Sequence, residues 1–226
     1  MSWNLPKNTG ILTIHGAVLP TGTEGELVLF GGDEHWSSQA EGVGDFRKTR
    51  VYDVATDDIV GAAIPSPDSD VFCSGHAFTS DGRLLIVGGT SKWPEGDDAH
   101  VHGLDFLGHK RCWLYNPRER TWTEASQMLP QPGRTVGGGR WYPGAVTVAN
   151  GDVMTFFGHL TQEDFRHRNT TPERYSVYGN SWTRFPQMCE PIEPENGNRF
   201  LMFARVFQLP DANLFFPPGC RSIIPL

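Results

Sequence analysis

VFCSGHAFTSDGRLLIVGG, residues 71–89, reads as one strand, a tight turn at Ser80-Asp81-Gly82, and a second strand closed by a glycine pair. The same unit recurs as GRWYPGAVTVANGDVMTFFG (139–158), as ILTIHGAVLPTG…ELVLFGG (11–32) and as LMFARVFQLPDANLFFPPG (201–219). Its closing glycines, Gly32, Gly89, Gly158 and Gly219, lie 57, 69 and 61 residues apart. A period of that size marks stacked or radial repeats.

Between these hairpins lies a second half, in which an aromatic residue is followed seven positions later by an apolar one: Tyr52…Ile59, Tyr115…Trp122 and Tyr175…Trp182. KRCWLYNPRERTWTEA shows it best, with Asn116 to Arg120 as the turn between two strands. Four strands per unit of about 60 residues predict an all-β chain built of β-propeller blades, the alternative being a β-sandwich with coincidental hairpins. The motifs resemble kelch repeats. A single domain over 1–226 follows, with repeats at about 11–64, 71–126, 139–186 and 201–226, or about 3.5 to 4 blades. GRTVGGGRW (133–141) is a blade-to-blade loop on this reading.

A propeller removes its free edges only by closing its ring, and CRSIIPL at the end looks like a third strand without its partner. The chain is therefore expected to be part of a longer propeller, a four-bladed ring, or one half of a seven-bladed dimer. An open arc left to itself would form a homo-oligomer through its edge.

Composition narrows the classes. The 226 residues carry 19 basic and 26 acidic side chains for a net charge of −7, and the basic ones are scattered, so no stripe exists to neutralise a phosphate backbone; nucleic acid is excluded as a partner. No apolar run approaches a membrane span, and Met1 to Gly10 lacks the features of a signal peptide, which leaves the compartment unknown. Cys73, Cys112, Cys189 and Cys220 form no CxxC pair and no disulfide framework, and the last three read as packing residues. The 26 Gly, 17 Pro, 7 Trp and 14 Phe favour many short strands over helices.

One pair stands out by its register. Cys73 lies nine residues before Gly82, and Tyr142 nine residues before Gly151. They hold the same place on consecutive units, where Thr13 and Phe203 stand in the others, and equivalent positions of neighbouring blades face one another around the axis. A sequence separation of 69 should collapse to contact.

Here the resemblance becomes specific: the two segments are similar to those of the copper radical oxidases, the galactose oxidase and glyoxal oxidase family. That family joins a cysteine in an FC-x-G segment to a tyrosine in an R-x-Y segment by a thioether on the tyrosine ring. The resemblance implies Cys73 as thioether donor and Tyr142 as copper ligand and radical site, so copper and the Cys-Tyr thioether are the expected cofactors. It implies oxidation of a small-molecule primary alcohol, aldehyde or carbohydrate by O2, giving H2O2. Family members are often secreted. The chemistry fits: copper cycles by one electron, and a phenol of ordinary pKa about 10 beside a cation becomes a phenolate that can store the second hole. Cu(II) also wants nitrogen donors. The family's axial tyrosine followed by histidine has no counterpart, because no Tyr-His dipeptide occurs in the chain, and His159 and Leu160 stand where galactose oxidase stacks a tryptophan.

Other histidines supply the remaining candidates. His159, Asp164 and His167 form an H-x4-D-x2-H set on one loop, a candidate metal site of imidazole and carboxylate donors that could also serve a hydrolase or lyase. His100, His102 and His109 sit in a long insertion and read as polar loop residues, while His15 and His76 read as structural. The alternative to the oxidase is a non-catalytic kelch propeller whose loops bind carbohydrate or protein.

Overall fold

The computed structural model describes residues 7–21, 25–31, 48–92, 107–158, 169, 171–185 and 205–215. Among these the chain is all-β, with no helix, and each of the first three sequence units forms one four-stranded antiparallel sheet. The first contains β1 (His15–Leu19), β2 (Glu26–Phe30), β3 (Lys48–Asp53) and β4 (Asp58–Pro65), in that order. The second runs β5 (Gly75–Phe78), β6 (Leu84–Val87), β9 (Cys112–Asn116) and β10 (Thr121–Ala125), with the short pair β7 (Thr90–Lys92) and β8 (Leu107–Gly108) inserted before β9. The third comprises β11 (Gly144–Thr147), β12 (Val153–Phe156), β13 (Glu173–Ser176) and β14 (Ser181–Arg184). A hairpin of β15 (Phe207–Gln208) and β16 (Leu214–Phe215) represents the fourth unit.

The seven-residue spacing of the second halves is a register. Tyr52 faces Ile59, Tyr115 faces Trp122 and Tyr175 faces Trp182 as direct cross-strand partners. Such aromatic pairs are what stabilises a hairpin of this kind. The first-half turns also repeat: Thr79, Val148 and Leu209 each donate a backbone N–H to the residue four positions on, at 2.8, 2.9 and 2.8 Å. Side-chain oxygens of Asp81, Asn150 and Asp211 accept the N–H two positions later at 3.2, 3.0 and 3.1 Å.

The sheets stack face to face in chain order. Every residue of β6, Leu-Leu-Ile-Val, is buried, and the period of two sends Leu84 and Ile86 against Val28 and Phe30 of the first sheet. Leu85 and Val87 turn the other way and pack with Val153 and Tyr175 of the third. Met154 and Phe156 in turn cover Leu214 of the fourth unit. Burying each of these side chains contributes about 2 kcal/mol. The tryptophans close the outer ends: Trp122 Nε1 donates to Thr49 Oγ1 at 3.0 Å across the first junction, and Trp182 Nε1 to the Ser126 carbonyl at 2.7 Å across the second.

Candidate functional site where the second and third sheets meet

β5 and β11 are the first strands of neighbouring sheets and lie side by side. Thr147 Oγ1 donates to the Phe78 carbonyl at 2.5 Å, and the Ser80 N–H to the Gly151 carbonyl at 3.1 Å. Followed back to where the two strands begin, this seam reaches Cys73 and Tyr142, and the Tyr142 N–H donates to the Cys73 carbonyl at 2.7 Å. A separation of 69 residues has closed to one hydrogen bond, as the matched offset predicts.

Both residues are left-handed, each with φ of +59°. A non-glycine residue seldom adopts that region, at a cost of roughly 1–3 kcal/mol each, and such outliers cluster where a site demands a fixed side-chain direction. Here the conformation aims both side chains into one cluster with Phe72 and Trp141. Cys73 is 1% exposed and Trp141 2%, whereas Tyr142 is half-buried. The Trp141 and Tyr142 rings meet edge to face at 4.2 Å.

The segment carrying Tyr142 is held by the residue two positions before it. Arg140 is wholly buried; its Nη1 donates to the Phe157 carbonyl at 2.8 Å, and its Nη2 to the Thr171 carbonyl at 2.6 Å and to Glu173 Oε2 at 2.9 Å. Burial pulls the guanidinium below its ordinary pKa and Glu173 opposes the shift. The backbone is gripped as well: the Arg140 N–H donates to the His109 carbonyl and its own carbonyl accepts from Gly89, both at 3.1 Å. A Cβ at Gly108 would lie 2.0 Å from the Arg140 carbonyl carbon, so only glycine fits there.

Sequence reasoning finds the Cys73 and Tyr142 pair and misses its frame. His109, expected to be a polar loop residue, lies in a β-bridge with Arg140, and its Nε2 donates to the Asp70 carbonyl at 3.0 Å. Burial pushes its pKa down to about 4, which keeps it neutral. The one signal available for Glu173 is its place two residues before Tyr175 on an otherwise apolar face; for Arg140 it is the RWY triplet itself. Cys112 is a packing residue, its thiol pushed up to about 12 by burial. His15 and His76 also pack in the core, their rings 5.5 Å apart. His159, Asp164 and His167 lie outside the described residues, as do His100, His102, Phe203, Cys189, Cys220 and the final CRSIIPL. Among the described residues no three His, Cys, Asp or Glu side chains converge as a metal site.

No protein family and no curated protein matches the chain. Among solved structures it is similar to one described as a novel fungal alcohol oxidase with catalytic diversity among the AA5 family, in complex with copper. The TM-score is 0.61 at 19% identity, over 94% of this chain and 38% of that one. The two share a fold, and this chain spans about two fifths of the oxidase's length.

Proposed function

We propose that these residues are the propeller portion of a copper radical oxidase, with kelch-type blades formed by the three four-stranded sheets and the fourth hairpin. The activity is oxidation of a primary alcohol or aldehyde; for an alcohol, RCH2OH and O2 give RCHO and H2O2. The observation that carries this reading is the juxtaposition of Cys73 and Tyr142 at equal and unusual backbone conformation. The shared fold with a copper-bound alcohol oxidase supports it.

The described residues fit one ligand of the copper site. Tyr142 can supply one phenolate oxygen, and Cys73 packs in the same cluster; on this reading its Sγ bonds the ring carbon next to the oxygen. That bond forms with loss of the thiol hydrogen and one ring hydrogen, and O2 takes both as H2O2. Copper bound at Tyr142 would supply one-electron chemistry, with the modified phenol holding the second oxidising equivalent. Trp141 packs against the phenol and restrains its ring. Burial of Cys73 keeps its sulfur from solvent oxidants. Cu(II) also needs nitrogen donors, which the resemblance gives to a Tyr-His pair and a further histidine, and no Tyr-His dipeptide occurs in the 226 residues.

Copper loading under air, followed by intact-mass measurement and a peroxide assay with a simple primary alcohol, tests the reading. The 226 residues alone should show no mass change and no peroxide. The same segment continued through its gene to a Tyr-His dipeptide should lose two hydrogens, a loss abolished by Cys73→Ser, and should turn over. If the longer chain does neither, the oxidase reading is wrong. A propeller that binds carbohydrate or protein without catalysis is then the reading left to test.

A further inference from the structure

The inserted pair β7 and β8 touches both segments of the Cys73 and Tyr142 seam. Thr90 in β7 is 4% exposed, and its hydroxyl is used in both directions: Oγ1 donates to the Phe72 carbonyl at 2.9 Å and accepts from Trp141 Nε1 at 3.1 Å. Phe72 and Trp141 are the residues immediately before Cys73 and Tyr142. His109, just after β8, spans the same gap one step further out. Its ring donates to the Asp70 carbonyl at 3.0 Å, and its own carbonyl accepts the Arg140 N–H at 3.1 Å. With the direct bond from Tyr142 to Cys73, the two segments are therefore joined at successive levels, and the two outer levels run through the insertion.

We infer that Thr90 and His109 are positioning residues that set the Cys73 side chain against Tyr142, the β7 and β8 insertion serving as the spacer between the two segments. The consequence for catalysis rests on the reading under Proposed function; the geometry does not. A buried hydroxyl that serves as donor and acceptor at once fixes the distance between the Phe72 backbone and the Trp141 ring. Valine would match its volume and remove both hydrogen bonds. Serine keeps the hydroxyl.

The test uses a probe that needs neither copper nor a thioether. In Tyr142→Cys, mild oxidation should form a disulfide between positions 73 and 142, identified by non-reducing peptide mapping and absent when Cys73→Ser is added. Adding Thr90→Val should slow that bond by about tenfold, the loss expected when a doubly used buried hydrogen-bonding group is removed, and Thr90→Ser should restore the rate. Trp122→Phe, which lowers stability at the first junction, should leave it unchanged. An equal rate in Thr90→Val, equal slowing by Trp122→Phe, or no disulfide in Tyr142→Cys overturns the inference. Should Thr90→Val not fold, His109→Leu against His109→Gln, which retains an N–H for the Asp70 carbonyl, decides the question by the same rates. A longer chain that never forms the thioether would sink the oxidase reading and leave these rates to judge Thr90 and His109 on their own.

Discussion

The junction between the first and second sheets and the junction between the second and third arise from the same repeat, yet different things cross them. At the first, side chains do the bridging. Within the first sheet His15 stacks on its strand partner Phe30 at 5.2 Å, and from the second sheet His76 meets both edge-on at 5.5 and 5.6 Å while Trp122 caps Phe30 at 5.7 Å. At the second, backbone meets backbone, at Tyr142 and Cys73, Gly89 and Arg140, Ser80 and Gly151. Packed rings tolerate small shifts, whereas a run of hydrogen bonds between main chains fixes a distance. The candidate chemistry sits at the junction whose geometry is fixed. The position equivalent to Cys73 in the first unit is an exposed threonine, Thr13.

The largest expected effect breaks the second junction. Arg140→Met or Glu173→Leu alone strands a buried charge and should cost about 3–5 kcal/mol in urea unfolding, while the double replacement should recover much of that. A single variant that loses under 1 kcal/mol would mean that the ion pair does not hold the seam.

Acid should act on both junctions through their imidazoles. Burial lowers His15 from 6.5 to about 4, with His76 adding to the shift, and His76 is lowered as well, by burial. His109 at the seam is lowered to about 4. A depressed pKa means that the unfolded chain binds the proton first. Stability is therefore full above about pH 6.5 and falls as the pH drops toward 4, by on the order of 3 kcal/mol for each of His15 and His109. Urea midpoints measured across that window should fall with pH in the parent. His15→Gln should flatten the slope, and a slope unchanged by it would remove the first junction from the account.

How far sequence reaches depends on what kind of regularity carries the information. The hairpins, the tyrosine pairings and the equivalence of Cys73 with Tyr142 are periodic, and periodicity survives without coordinates. The glycines of the turns and the apolar alternation of β6 follow for the same reason. Arg140, Glu173, Thr90 and His109 belong to one junction only. Glu173 lies 33 residues from its partner Arg140, and Thr90 51 from Trp141. Nothing in the repeat announces a residue that occurs once, and an insertion that looks like a loop hides the strand pair at its two ends. The likeness between units predicts the scaffold; what distinguishes one junction from the next comes from departures that only packing brings together.

The smallest expected effects come from the hairpin turns, which separate the cost of a backbone angle from the cost of a junction. Gly82 and Gly151 share a φ of +83°, but a Cβ at Gly82 would meet nothing within 4 Å, whereas one at Gly151 would lie 2.3 Å from Ser80 Cβ across the second junction. Gly82→Ala should therefore cost only the left-handed strain, about 1 kcal/mol, and Gly151→Ala visibly more. The fourth unit runs the experiment in reverse. Its turn has the same hydrogen bonds but places Ala212 at the equivalent position, with φ of +68°. Ala212→Gly relieves that strain and gives back part of the gain as chain entropy in the unfolded state, so it should stabilise by a few tenths to about 1 kcal/mol. Urea unfolding of the three variants side by side should thus rank Gly151→Ala below Gly82→Ala, both below the parent, and Ala212→Gly above it. Equal losses at the two glycines would mean that the turn of the third unit bears no load from the second.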